Sequence, residues 1–320
     1  MNSGDPSTEP NPQPGSPSSV SGTISALARK RLEKFAGLIS RLIVTDDPET
    51  IHDVRVSSRR LQQVLGILAS GGAKKNKRRK LARILRTIRR NLGRPRNLDV
   101  MNELVGEKIS AASNPVVRDS WEQLRTYIAD RRARAIERHR EKLRDFDLVN
   151  FADRARAIIE GADEAAEGSL IKGVTGALAD WRAAIASANS EPGATEMHAV
   201  RIAGKRLRYR LELLAELGSV QAKASIKSVR VLQDRLGAWH DRQLLLETCA
   251  VFLSKREVLA THPALARVLL VEMEREQRRA KAAVDGLIKH MDKTARAFDQ
   301  IDDSLTQNEM AAPTAAEVDN

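Results

Sequence analysis

An internal repeat constrains the fold of this chain more than any other feature of its sequence. A shift of 146 residues aligns His52 with His198 and Arg55 with Arg201. The same shift aligns Val54 with Val200, Arg59 with Lys205, Arg60 with Arg206, Leu61 with Leu207, Leu65 with Leu211 and Leu68 with Leu214. Because both the cationic and the apolar residues recur, the sequence predicts two halves of similar structure.

The next segment is also repeated, but at a shift of 144 residues, because the connector before it is two residues shorter the second time. The matched pairs are Arg79 with Lys223, Arg83 with Lys227, Arg86 with Arg230, Ile88 with Leu232 and Leu92-Gly93 with Leu236-Gly237. We place the boundary between the two halves near residue 160.

Apolar residues recur at spacings of three and four along both halves, and the alternating pattern of β-hairpins is missing. This periodicity predicts an all-α fold. Gly and Pro residues mark the breaks between helices. The predicted helices cover about 24–44, 48–70, 75–92, 98–111, 115–146, 169–188, 195–217, 222–236, 242–256 and 262–298.

The two ends of the chain differ from this pattern. Residues 1–22 are dominated by Ser, Pro, Gly and Asn, a composition that predicts a disordered tail. Residues 301–320 are polar and acidic, and we expect a second flexible tail there. The folded domain should therefore cover residues 23–300, with one half at 23–160 and the other at 161–300.

The charge of the chain indicates a polyanionic partner. Lys and Arg number 54 against 42 Asp and Glu, which gives a net charge of +12. Aromatic residues make up only 3%, and this disfavours single-stranded nucleic acid, whose binding proteins commonly add stacking platforms. Duplex DNA stays open as an alternative, although no helix-turn-helix spacing or base-reading pattern is present.

The single cysteine, Cys249, excludes an intramolecular disulfide and a cysteine-based zinc cluster. It lies in an apolar stretch, so we expect a buried and unreactive thiol. No apolar run approaches the roughly 20 residues of a membrane span, and residues 1–22 lack the apolar centre of a secretory signal. These features predict a cytoplasmic protein without membrane insertion.

The first repeated helix separates its cations from its apolar residues. At the helical period, Arg55 and Arg59 share a face with His52, while Val54 and Leu61 lie on the opposite, core-facing side. The second copy carries His198, Arg201, Lys205, Arg208 and Tyr209 on its cationic face, and Arg60 and Arg206 lie on the flanks of the two helices.

The next helix of each half carries a second cationic stripe. The first copy contributes Arg79, Arg83, Arg86 and Arg90, and the second contributes Lys223, Lys227 and Arg230. Like charges at this spacing destabilise a helix by a few tenths of a kcal/mol per pair. One such stripe would be typical of an ordinary solvated face. Four stripes with almost no interspersed carboxylates favour an anionic ligand that relieves the repulsion.

A row of such side chains suits a chain of phosphates. Arg offers a planar fork of donors, Lys a compact charge, and His a donor whose charge follows pH. His52 and His198 either donate to phosphate, more strongly below about pH 6.5, or face the core and orient arginines. The predicted binding residues are His52, Arg55, Arg59, Arg60, Arg83, Arg86, Arg90, His198, Arg201, Lys205, Arg206, Arg208, Lys227 and Arg230.

These motifs resemble those of the conserved histidine α-helical domain, CHAD. The resemblance covers about residues 23–300 and departs from the family at Gln62, where the second half has Arg208, and at Asn97, where an Asp is usual. The resembling segments are His52-Asp53-Val54-Arg55-Val56, Arg59-Arg60-Leu61, Arg96-Asn97-Leu98-Asp99, His198-Ala199-Val200-Arg201-Ile202, Lys205-Arg206-Leu207-Arg208-Tyr209 and His240-Asp241.

The resemblance implies a particular architecture and activity. It implies two four-helix bundles related by a pseudo-two-fold axis, with basic helices that face a central channel. It also implies binding of inorganic polyphosphate without catalysis, and it permits an association with polyphosphate granules. On this basis we expect no catalytic residue, metal or cofactor. Neither the residues nor the resemblance indicates an oligomeric state.

An enzymatic alternative comes from two His-Asp pairs, His52-Asp53 and His240-Asp241. Helical metal-dependent phosphohydrolases gather such side chains around metals. The two pairs do not correspond in the repeat, however, because His198 is followed by Ala199 and His240 matches Arg96. We therefore expect these pairs not to form a catalytic site.

Overall fold

A computed structural model describes residues 20–68, 74–161, 166–296 and 298. Eleven α-helices and no strand occur in these ranges. The all-α prediction is therefore confirmed. Both predicted tails lie outside the described residues, except that residues 20–22 belong to the first helix. The helices are α1 Val20–Val44, α2 Pro48–Leu68, α3 Lys74–Asn91, α4 Gly93–Ala111, α5 Pro115–Arg144, α6 Leu148–Glu160, α7 Ala166–Ser190, α8 Ala194–Glu216, α9 Val220–Leu253, α10 Arg256–Thr261 and α11 Pro263–Arg296.

Two apolar cores hold these helices together. The larger core joins α1, α2, α3, α6, α7 and α8 with the end of α5, the first part of α9 and the last part of α11, around buried rings such as Phe35, Phe151 and Trp181. The smaller core joins α4, α5 and α10 with the remaining parts of α9 and α11, around Trp121 and Phe252. Each core contains residues from both sequence halves. Cys249 lies in the smaller core, where burial raises the pKa of its thiol to about 12.

The starts of α2 and α5 follow the local rules for helix capping. The carboxylate of Asp47 accepts a hydrogen bond from the backbone N–H of Thr50 at 3.0 Å, which lowers the pKa of Asp47. Asn114 precedes Pro115 and accepts from the backbone N–H of Val116 at 2.9 Å. These caps fix the chain direction where α2 and α5 begin.

The prediction of a break between residues 236 and 242 is wrong, because α9 continues through Gly237 to Leu253. The first half does break at the matching place, between α3 and α4. Even there the hydrogen bonds continue, from Leu92 N to Ile88 O at 3.0 Å and from Arg96 N to Leu92 O at 3.2 Å. A glycine inside a helix lowers its stability but does not end it when both flanking segments are buried.

Helix α6 is absent from the sequence prediction. Asp147 caps its start by accepting from Asn150 N at 2.9 Å, and Phe151, Ala155 and Ile158 bury one face. Asp147 before this apolar spacing was the signal that could have revealed it.

Helix α8 is linked to α1 and α2 by ion pairs that join both sequence halves. Arg60 pairs with Glu212 at 3.0 Å, and Arg31 of α1 pairs with Glu216 at 3.0 Å. Arg31 also donates to the carbonyl of Arg60 at 3.1 Å. Two pairs that share one backbone contact set the position of α2 against α8. Within the described ranges, no helix is long and apolar enough to cross a membrane.

Gly204 of α8 provides a test of the larger core. A Cβ at this position would lie 3.2 Å from Nε1 of the fully buried Trp181, whereas a Cβ at Gly106 of α4 would meet nothing within 4 Å. Gly204→Ala should destabilise the fold by about 1 kcal/mol through overpacking. Gly106→Ala should stabilise it by about 0.5 kcal/mol through helix propensity. Urea unfolding of both variants measures the difference, and equal shifts would contradict the close approach of α8 to Trp181.

Candidate anion-binding site

Six cationic side chains from four helices form one group, here called the basic cluster. Arg55 and Arg59 lie on α2, Arg89 on α3, Arg96 on α4, and Arg201 and Lys205 on α8. Arg59 influences the titration of Arg55, Arg89, Arg201 and Lys205, and Arg96 influences that of Arg55. The electrostatic neighbourhood of Arg59 therefore includes cations from both halves of the chain.

The cluster is partly buried, and this changes the proton affinity of its members. Loss of solvation is the largest cause, and repulsion between the neighbouring cations adds to it. Together they lower the pKa of Arg55 and of Arg89 to about 10 and that of Lys205 to about 7. The pKa of Arg201 is lowered for the same first reason. The protein thus holds positive charge where water stabilises it poorly.

Backbone and side-chain acceptors orient the two arginines between α2 and α3. Arg55 Nη1 donates to the carbonyl of Arg89 at 2.5 Å. Arg89 in turn donates to the carbonyl of Ser58 at 3.3 Å and to Gln62 Oε1 at 2.5 Å. These acceptors are neutral, so they position the guanidinium groups without cancelling their charge.

Three further members of the cluster lack a directly paired carboxylate in the described part of the chain. Among the described residues, Arg59, Arg201 and Lys205 have no carboxylate oxygen within 4.0 Å. The Nε atom of Arg201 is buried and has no hydrogen-bond acceptor. A buried donor without an acceptor is unfavourable unless a ligand or water fills the position. The cluster is therefore able to bind an anion without first breaking ion pairs at these three residues.

The histidines at the starts of α2 and α8 are exposed, so the alternative in which His52 and His198 face the core is wrong. Burial of part of the ring and the charge of Arg96 lower the pKa of His52. Protonation of His52 without a ligand consequently needs a pH below the 6.5 expected from the sequence. The ring of His198 lies 5.6 Å from that of His240, whose pKa is lowered to about 4 by burial and by Arg201.

Two carboxylates lie close to the cluster, those of Asp241 and Glu103. Asp241 of α9 feels the charges of Arg201, Lys205 and Arg96, which lower its pKa, but burial outweighs them and the net pKa is raised. Arg96 also has Glu103 at 3.7 Å. The negative charge near the cluster is therefore concentrated on the side of α4 and α9.

The structure does not bring all the predicted residues together. Arg60 is paired with Glu212, and Arg206 points to α7, where Asp180 lies at 2.6 Å. Arg208 interacts with Lys205, yet its Nε lies 3.5 Å from Glu212. These three arginines are at least partly neutralised by carboxylates, contrary to the prediction that the stripes contain almost none.

The α3 stripe also faces a different direction from the one predicted. Arg83 and Arg90 line pockets between α3 and α5, away from the cluster. Within this stripe, Arg86 interacts with Arg89, but the side chain of Arg86 is exposed. Lys227 and Arg230 of α9 are exposed, and no described interaction joins them to the cluster.

Sequence reasoning missed Arg89 and Arg96 as site residues. The small Ser58 lets Arg89 approach α2, and the repeat places Gly204 at the position of Ser58 and Gln233 at that of Arg89. A small residue repeated in the middle of a cationic helix was the available signal for this approach. Arg96 matches His240, which lies beside the cluster near Arg201 and Lys205.

Within the described ranges, no group of three or more His, Cys, Asp or Glu side chains is placed to hold a metal ion. The pairs His52-Asp53 and His240-Asp241 therefore do not assemble a described metal centre.

A family model for the CHAD domain matches residues 26–250. The chain belongs to the CHAD family. The crystal structure of the CHAD domain from the plant Ricinus communis matches with a TM-score of 0.62 and 20% identity, over 86% of this chain and 92% of that one. PptA from Streptomyces chartreusis matches with a TM-score of 0.65 and 15% identity, over 85% of this chain and 99% of that one. No curated protein sequence matches the chain. The comparisons confirm the resemblance drawn from the motifs.

The lowered pKa of Lys205 predicts how stability depends on pH. The folded chain loses this proton near pH 7, while the unfolded chain keeps it up to its usual value of 10.5. The unfolded state therefore binds more protons in this window, and folding becomes more stable as the pH rises from 7 towards 10. Lys205→Met should remove this increment, whereas Lys223→Met, at an exposed lysine of α9, should keep it. Urea unfolding at pH 7 and pH 9.5 measures this increase in the free energy of unfolding. An equal increase in both variants would refute the burial of the amine.

Proposed function

We propose that the protein binds inorganic polyphosphate at the basic cluster and does not hydrolyse it. The observation that carries the proposal is the convergence of Arg55, Arg59, Arg201 and Lys205, none of which has a carboxylate oxygen within 4.0 Å in the described part of the chain. A chain of phosphates supplies one negative charge after another along its length. Such a ligand relieves the repulsion between neighbouring cations at several points at once.

Guanidinium groups fit this role because each presents several N–H donors in one plane and stays charged even where burial lowers its pKa. At neutral pH, Lys205 lies near its midpoint, so a bound phosphate would draw a proton onto it. The ligand thus increases the positive charge that holds it. His52 and His198 are exposed beside this surface and extend the row of donors.

The repeat suggests how the surface is built. Arg55 and Arg201 are equivalent, as are Arg59 and Lys205, and all four lie in the same cluster. This supports a pseudo-two-fold arrangement of two four-helix bundles around a central basic channel. A phosphate chain would then cross from one half of the protein to the other.

Family membership supports the choice of ligand, because CHAD domains are known in polyphosphate-binding proteins. We propose that the protein acts in the cytoplasm and accompanies polyphosphate-containing granules there. The absence of hydrolysis is proposed because arginines hold phosphate oxygens but do not take a proton from an attacking water. Release of phosphate from polyphosphate, measured with added divalent metal, would overturn that part of the proposal.

The central test removes equivalent arginines from both halves. Arg55→Ala combined with Arg201→Ala should weaken polyphosphate binding on the order of a hundredfold, since two charge-assisted contacts are lost. Arg154→Ala combined with Arg267→Ala removes the same charge at two exposed arginines outside the basic cluster. Calorimetric titration should show a much smaller loss for this control pair. Equal losses in both double variants would contradict the assignment of the site.

Competition separates this ligand from the nucleic-acid alternative. Long polyphosphate and duplex DNA compete at about 150 mM salt, where weak attraction between distant charges is already screened. We expect polyphosphate to displace the DNA, and the affinity to fall linearly with salt on logarithmic axes. Preferential binding of the duplex would replace polyphosphate with DNA as the ligand.

A further inference from the structure

A second concentration of positive charge lies between α3, α4 and α5, outside the basic cluster. It surrounds a cavity of about 260 Å³, here called the α5 pocket. Arg90 and Arg94 border it from one side, and Arg138, His139 and Lys142 of α5 border it from the other. Arg90 was predicted from the sequence to face the first ligand, but the structure directs it into this different cavity.

The helical period explains how these residues come together. Arg138 and Lys142 are four residues apart, so they lie on the same face of α5. Arg90 and Arg94 are also four apart and stay aligned across Leu92, because the helical hydrogen bonds continue through that junction. Two pairs of cations therefore face one cavity from opposite walls.

These four cations lack a paired carboxylate in the part of the chain that the structure describes. Among the described residues, none of Arg90, Arg94, Arg138 and Lys142 has a carboxylate oxygen within 4.0 Å. Arg131, Arg134 and Arg138 all repel Arg94, which together with desolvation lowers its pKa. The carboxylate of Asp145 lines only the adjoining pocket, towards the end of α5. Positive charge is thus concentrated around the cavity without local compensation.

His139 provides independent evidence for a ligand. Its side chain is only 4% exposed, it lines the α5 pocket, and neither ring nitrogen has a hydrogen-bond partner. Burial lowers the pKa of His139 to about 4, so the ring is neutral at pH 7 and carries one N–H. A buried ring of this kind needs an acceptor to satisfy that donor. An anion in the pocket would supply the missing oxygen.

We infer that the α5 pocket is a second anion site, which takes a short run of phosphates such as an inorganic or nucleotide triphosphate. Four cations with a neutral donor match a small ligand with several negative charges and many oxygen acceptors. Pairs of cations on opposite walls of a cavity of about 260 Å³ suit several linked phosphates better than a single phosphate. This site is separate from the proposed polyphosphate surface, since Arg55, Arg59, Arg201 and Lys205 do not border it.

Inorganic tripolyphosphate is the probe for the test, titrated calorimetrically into the full chain. Arg55→Ala with Arg201→Ala, which impairs the basic cluster, should keep one saturable site. Adding Arg94→Ala and Arg138→Ala should weaken that site about tenfold or more, because both side chains are exposed donors at the cavity. The matched control, Arg154→Ala with Arg267→Ala, removes two exposed arginines elsewhere and should change the affinity less than twofold.

His139→Leu tests the buried donor separately. It removes the N–H while keeping an apolar wall, and it should weaken tripolyphosphate binding about fivefold, as expected for the loss of one hydrogen bond. Adenosine triphosphate should compete with tripolyphosphate, since both carry the same phosphates. Competition by adenosine alone would overturn the inference, because the pocket would then recognise the base.

The outcomes distinguish this inference from the proposed function. If the Arg55→Ala and Arg201→Ala variant retains no saturable site, or if Arg94→Ala with Arg138→Ala behaves like the control, the second site is refuted. If long polyphosphate ignores Arg55 and Arg201 while tripolyphosphate still depends on Arg94 and Arg138, the proposed function fails and the second site is supported.

Discussion

The arrangement of this protein depends on the ion pairs that fasten α1 and α2 to α8. Arg60 with Glu212 and Arg31 with Glu216 join helices that lie far apart in sequence, and each pair has at least one largely buried member. Removing one partner of a buried pair leaves an uncompensated charge, so such pairs favour a single register between the helices. That register keeps Arg59 near Lys205 and Arg201 despite their mutual repulsion. The ion pairs at one side of this interface thus hold the unpaired cations of the basic cluster in place at the other side.

Much of the fold could be predicted from the sequence, because helical periodicity is a local property. The positions of α2, α5, α7 and α8 follow from apolar spacing and from caps such as Asn114. Local rules did not reveal whether Gly237 ends a helix, because burial on both sides of that glycine decides the outcome. Local rules also did not predict which helices form the two cores. Helices α9 and α11 each contribute to both cores.

The site was predicted in part, and the errors have a common cause. The wheel of α2 correctly placed Arg55 and Arg59 on one face, since opposing apolar residues define the core side. On α3 the same reasoning favoured Arg83 and Arg90 over Arg89, although cations surround much of that helix. The rotation of α3 is set by Ser58 and Gln62, which accept from Arg89 across the interface. Contacts between helices therefore determined which arginine joined the cluster. The prediction of Arg206 as a site residue failed for the same reason, because its ion-pair partner Asp180 belongs to another helix.

The two halves of the sequence also differ at one position of the basic cluster. The shift of 144 residues aligns Arg89 with Gln233. Gln233 is buried close to Gly204 and Trp181, so this position serves packing in the second half and charge in the first. A polyphosphate chain is the same in both directions. An asymmetric binding surface would therefore not require one orientation of this proposed ligand. We instead expect the amino-terminal half to bind the proposed ligand more tightly, and the ligand to dissociate first from the carboxy-terminal half.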